Sequence, residues 1–128
     1  MGREILFRGK RIDDGQWIEG YYVKHGSRNW IYTGKIQYMY FPACADLPTK
    51  YEVEPESIGQ YTGLTDKNGK KIFEGDILKN WNGTTYTVMY DNHSGAFCFK
   101  NDALLAMFRI CGFEIIGNIF DDEELLKQ

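Results

Sequence analysis

The stretch that most restricts how this chain can fold is Ile58 to Leu78, which reads IGQYTGLTDKNGKKIFEGDIL. Two short apolar runs flank a polar turn at Asp66, Lys67, Asn68 and Gly69. Gly75 and Asp76 then open a third run at Ile77 and Leu78. Runs this short, punctuated this way, give strand, reverse turn, strand and corner. The turn assignment rests on Asn68-Gly69, a pair suited to the positive φ angles of a tight hairpin. Gly75 is expected to allow a sharp bend, and Asp76 to accept hydrogen bonds from nearby backbone N–H groups as in an Asx-type turn. Ile72 and Phe73 point to opposite faces, so at least one belongs to the core.

Alternation of the same kind runs through most of the chain. Residues 3 to 8 read as a strand, with Gly9 and Lys10 turning the chain toward the Asp13-Asp14-Gly15 turn. Residues 16 to 24 form a longer strand with large apolar groups on both faces, which predicts burial on both sides or a subunit contact. Residues 29 to 33 and 35 to 41 flank Thr33-Gly34 like a hairpin. Pro42, Pro48 and Pro55 mark the segment between them as a long loop or joint, with a single helical turn at Glu54 to Ser57, where proline suits the first helical position. Thr84 to Tyr90 and Phe113 to Phe120 are further strands, the first bounded by turns at Lys79 to Gly83 and Asp91 to Gly95. Between them Asn101 or Asp102 can cap a short helix near 102 to 109. The tail DDEELLKQ has the acids-first order of a helical turn. The expected fold is therefore mainly β: short, strongly bent antiparallel strands in a small barrel or two packed sheets, with one short helix and a C-terminal helical turn. One domain over 1–128 is expected at this length, with subdomains 1–55 and 56–128 as the natural division.

Charge and cysteine content narrow the function. The net charge is −3, which disfavours a protein whose main task is gripping a phosphate backbone. Residues 1 to 41 nevertheless hold 7 basic and 4 acidic side chains, a local +3, while residues 42 to 128 hold 8 and 14. Cys44, Cys98 and Cys111 are odd in number and lack CxxC spacing, so they read as reduced thiols rather than a disulfide framework or zinc knuckle. Charges at Arg3, Glu4, Arg8, Lys10 and Arg11 interrupt the first apolar patch, unlike a secretory segment, and no apolar run approaches the roughly 18 residues of a membrane span. A cytoplasmic protein with no membrane contact is expected.

ESIGQYTGLTDKNGKKIFEGDIL at 56 to 78, FEIIGNIFDDEELL at 113 to 126 and the N-terminal REILFRGKR followed by a tryptophan together resemble the YopX family of phage and prophage proteins. The resemblance covers essentially the full chain. It implies an origin in a phage or an integrated prophage and supplies no catalytic residues.

The residues bearing reactive groups read as structure. Asp91, His93 and Ser94 have the residue types of a catalytic triad, but a triad is assembled by the fold with the base between nucleophile and acid, and DNHSG is an ordinary turn. His25, His93 and Cys98 lack the paired local spacing of a metal site. Glu74 and Asp76 flank Gly75, and turn chemistry accounts for Asp76. There is no glycine-rich phosphate loop. No enzyme activity, cofactor or metal is expected. Twenty aromatic residues are more than a core of this size hides, and the excess, with the local basic charge, nominates Trp17, Trp30, Tyr38, Arg28 and Lys35 as a partner or nucleic-acid surface. The expected function is that of a non-enzymatic accessory protein, homo-oligomeric and in contact with a host or phage protein. The alternative is a small β-barrel nucleic-acid binder.

Overall fold

A computed structural model describes residues 4–33, 49–100 and 112–122. Ten strands are described: β1 (Phe7–Lys10), β2 (Trp17–His25), β3 (Arg28–Thr33), β4 (Thr49–Glu52), β5 (Gly59–Thr65), β6 (Lys71–Phe73), β7 (Asp76–Lys79), β8 (Thr85–Asp91), β9 (Ala96–Phe99) and β10 (Glu114–Asn118). Hydrogen-bond ladders sort them into two antiparallel sheets, in the orders β4-β3-β2-β1-β5-β6 and β10-β7-β8-β9. The protein is thus mainly β, as its alternation predicts. Each sheet has two distinct end strands, so neither closes into the small barrel offered as one form of the fold. The helix expected near 102–109 lies outside the described residues. So does the C-terminal helical turn beyond Asp122.

The chain divides into two compact units, Glu4–Gln60 and a second that takes in Tyr61–Gln128, with the boundary inside β5. In the first unit, β1 pairs with β2 through Phe7↔Gly20 to Lys10↔Trp17, and β2 pairs with β3 through Tyr21↔Tyr32 to His25↔Arg28. β2 therefore changes partner at Gly20. A Cβ built there would overlap the Tyr32 carbonyl oxygen and lie 3.0 Å from Ile31 Cγ2, so this crossing admits only glycine. The same logic corrects the N-terminal strand. Gly9 and Lys10 were expected to turn, yet both lie in β1, because Gly9 is a point of close approach: its Cβ would sit 2.9 Å from the Cβ of buried Val53. Lys10 N–H donates to Ser57 Oγ at 2.8 Å, and that hydroxyl donates to Glu54 O at 2.6 Å. Ser57 ends the 3-10 turn Pro55–Ser57, the helical turn expected there, with proline in its first turn. Thr49 to Glu52, expected as part of a long loop, is β4 paired against β3. The expected second arm of the hairpin, 35 to 41, lies outside the described residues. The core of this unit is Ile31 and Val53, both essentially inaccessible.

The second unit is held by Ile72, Leu78, Val88, Phe99 and Phe113, with Leu64, Tyr86, Phe97 and Ile115 packed around them. Phe99 and Phe113 stack at 5.6 Å between centroids, and Tyr86 tilts against both. Ile72 and Phe73 are both buried. Gly75, at φ +95, makes the corner that the sequence predicts, and buried Asp76 accepts the Phe73 N–H at 2.8 Å. The Asp66 turn differs from expectation in detail. Gly69 takes positive φ (+83) while Asn68 does not, so the connection is a three-residue loop closed by Gly69 N–H to Asp66 O at 3.0 Å, with only the glycine left-handed.

Candidate functional site

Among the described residues, the reactive groups singled out in the sequence sit in turns, at strand ends or in the core, and Cys44 and Cys111 lie outside the described residues. Asp91 Oδ1 accepts the His93 N–H at 3.1 Å and Oδ2 accepts the Ser94 hydroxyl at 2.8 Å. The hydroxyl bond, followed by the His93 N–H, holds the Asp91 carboxyl below its ordinary pKa. Acid and hydroxyl are thus bonded directly, without an imidazole between them. His93 is exposed at the turn, and His25 is exposed at the end of β2. Cys98 is buried, and burial pushes its thiol pKa up, away from the reactive thiolate. Among the described residues no three His, Cys, Asp or Glu side chains are grouped as a metal site requires. Asp76 is 1% exposed, and Glu74 is half-buried beside it.

Among the described residues, exposed aromatic groups occur at Tyr90 on β8, 39% exposed and edge-on to Phe97, and in two further places. The first is one face of β2, β3 and β4. Residues opposite each other on an antiparallel ladder share a face. Tyr21↔Tyr32↔Lys50 and Val23↔Trp30↔Glu52 are therefore adjacent rows, with His25↔Arg28 beyond them. The opposite face carries Tyr22, Asn29 and Ile31, with the Tyr22 hydroxyl donating to buried Asn29. Burial of that face leaves Tyr21 52% and Val23 43% exposed on the other. Lys50 Nζ lies 4.6 Å from the centre of the Trp30 ring, and Arg28 Nε is 4.0 Å from Glu52 Oε2. Of the nominated residues, this face unites Trp30 and Arg28. Trp17 stands at the other end of β2, paired to Lys10 and covered by the Arg8 guanidinium at 4.9 Å. Tyr38 and Lys35 lie outside the described residues.

The second place is the turn between β7 and β8, where Trp81 is 87% exposed. This turn repeats the hydrogen bonding of the Asp66 turn. Asn80 N–H donates to Thr84 O, and Gly83 N–H to Asn80 O, both at 3.0 Å. Asn80 Oδ1 accepts from Asn82 N at 3.1 Å and Thr84 N at 3.0 Å, as Asp66 Oδ1 accepts from Asn68 N and Lys70 N at 2.8 and 2.9 Å. Trp81 occupies the position that Lys67 occupies in the other turn. The turn therefore tolerates a charged side chain there, and its geometry does not ask for an indole. Sequence reasoning passed over Trp81, although the flanking Asn82-Gly83 already marked its place at a turn tip. Tyr21, Val23, Tyr32 and Lys50 were missed because the register that aligns them is set by tertiary pairing.

Among curated proteins none matches the chain. The crystal structure of protein EF1440 from Enterococcus faecalis is similar, with a TM-score of 0.60 at 23% identity over 98% of this chain and 99% of that one, a likeness of fold. Among the described residues no helix is long and apolar enough to cross a membrane. The family model described as YopX protein matches residues 6–127, and this chain belongs to the YopX family.

Proposed function

We propose that the protein is a phage or prophage accessory factor that acts by contact, not catalysis, inside the bacterial host. It associates with itself and with a host or phage protein through the Trp81 turn. The observation behind this reading is the indole: large, 87% exposed, and mounted on a turn whose Asn80, Asn82, Gly83 and Thr84 N–H groups are already bonded. Tryptophan has few rotatable bonds and a large contact area, so it loses little entropy when it seats in a partner pocket, and single tryptophans dominate many interfaces. A preordered turn lowers that cost further.

The test compares the intact chain with Trp81→Ala. Sedimentation at micromolar concentration should give a mass above that of one chain for the parent and a shift toward the single chain for the variant. Circular dichroism should be unchanged, since Trp81 contributes little to the core. A parent that stays monomeric, or a variant that associates as the parent does, refutes the role of this turn in self-association.

A further inference from the structure

We infer that the outer face of β2, β3 and β4 is a platform for single-stranded nucleic acid, stacking bases on Tyr21 and Tyr32 and taking phosphates on Lys50 and Arg28. The inference is independent of the Trp81 turn. Three observations support it together. The face is aromatic and exposed, with Tyr21 more than half accessible. Across the rows from Tyr21 to His25 its charge is +1, Lys50 and Arg28 against Glu52, in a chain whose net charge is −3, with exposed Glu19 on β2 beyond the Tyr21 row. It is also small. Three strands spaced about 4.8 Å apart and five residues rising about 3.3 Å each define a patch of roughly 10 by 13 Å. A stable protein interface covers about 800 Å² on each partner, several times that footprint. A slender polyanion needs only a stacking surface and adjacent cations, because every base offers a π-face and the backbone offers one charge per residue.

Lys50 over Trp30 fits this use. The ammonium lies over the Trp30 ring while Lys50 shares a row with Tyr32 and Tyr21, which places a phosphate partner next to a base stacked on the tyrosines. Glu52 opposes it: it holds Arg28 at 4.0 Å and repels phosphate. Removing that carboxylate should therefore tighten binding, an effect that a purely structural role for the face does not produce.

The experiment is fluorescence anisotropy of a fluorescein-labelled oligothymidylate titrated with the full chain. Two phosphate contacts predict a slope of log affinity against log salt of about −1.4 for a single strand. Tyr21→Ala should weaken binding roughly tenfold, the loss of one stacked base. Lys50→Ala should bring the slope to about −0.7, and Glu52→Gln should strengthen binding. All three positions lie outside the core, and circular dichroism checks that the variants fold. The inference is overturned if binding does not saturate at low salt, if Tyr21→Ala and Lys50→Ala bind as the parent does, or if a duplex competes equally. It is overturned equally if β2 and β3 amides gain exchange protection with rising protein concentration alone, since a second copy would then cover the face.

Discussion

Asp66 is the side chain on which the second unit depends most sharply. Only 6% exposed, its carboxylate gathers three backbone donors: Asn68 at 2.8 Å and Lys70 at 2.9 Å on Oδ1, and Ile115, from a strand 49 residues away, at 3.1 Å on Oδ2. Lys67 N–H, in the same turn, donates to Phe113 O at 2.9 Å, so two bonds tie this turn to the start of β10. Asp66→Asn keeps one oxygen for the two turn donors and points an amide N–H₂ at the Ile115 N–H, or the reverse if the amide flips. Either way one or two donors face a donor. A hydrogen bond to a charged acceptor contributes about 1.5–3 kcal/mol net, and the turn donors can recover part of it from water while Ile115 is only partly exposed. The expected loss is about 2–3 kcal/mol, and for Asp66→Ala about 3 kcal/mol, the three bonds not being additive. With a urea slope of about 2 kcal/mol per M, the midpoint should fall by roughly 1 M. The pH dependence gives a second readout. Burial alone would raise the Asp66 pKa, and the donors, Ile115 foremost, more than offset it, so the carboxyl sits below its ordinary range. A depressed folded-state pKa means stability that is complete above the unfolded value and is lost as pH falls through the folded one. Urea midpoints of the parent should decline below about pH 4, and Asp66→Asn should flatten that decline. An unmoved midpoint at pH 7, or an acid limb as steep in the variant as in the parent, would refute the argument.

Gly20→Ala should destabilise the first unit by about 1–3 kcal/mol or more, because the new Cβ overlaps the Tyr32 carbonyl oxygen and crowds Ile31; thermal unfolding followed by circular dichroism measures it, and tolerance of alanine would show that β2 does not cross there as described. Phe73→Ala removes a ring that is 2% exposed and packed 5.6 Å from Tyr61, at an expected cost of about 3–5 kcal/mol; an unfolding midpoint left in place would make the hairpin peripheral.

The parts of the fold legible in the sequence are those fixed by local chemistry. Asn68-Gly69, Asn82-Gly83 and the Gly75-Asp76 corner announce where strands reverse, and each does so in the structure. The prolyl turn at Pro55–Ser57 was visible for the same reason. Gly9, read as a turn, misled because its role is space instead of torsion, the role Gly20 has inside the strand expected there. Gly9 and Gly20 have no need of positive φ and lie inside strands, against Val53 and Tyr32, which are distant in sequence. Pairing of β4 with β3 was equally invisible, since nothing within TKYE indicates which strand it will meet. The candidate surfaces divide along the same line: the Trp81 tip follows from its own turn, whereas the alignment of Tyr21, Tyr32 and Lys50 follows from two registers.

The two matched turns carry the argument about function one step further. Asp66 and Asn80 direct the same backbone bonds with the same atom, Oδ1. They differ in what else they bear. The carboxylate has a second oxygen, which reaches Ile115 and makes its turn part of the core's frame. The amide has in that place a donor, and its turn stands clear with Trp81 exposed. Asp66→Asn should therefore lower stability without altering association, whereas Trp81→Ala should alter association without lowering stability. Variants that moved both quantities together would mean that the Trp81 turn belongs to the folded frame, and the indole would then need no partner to explain it.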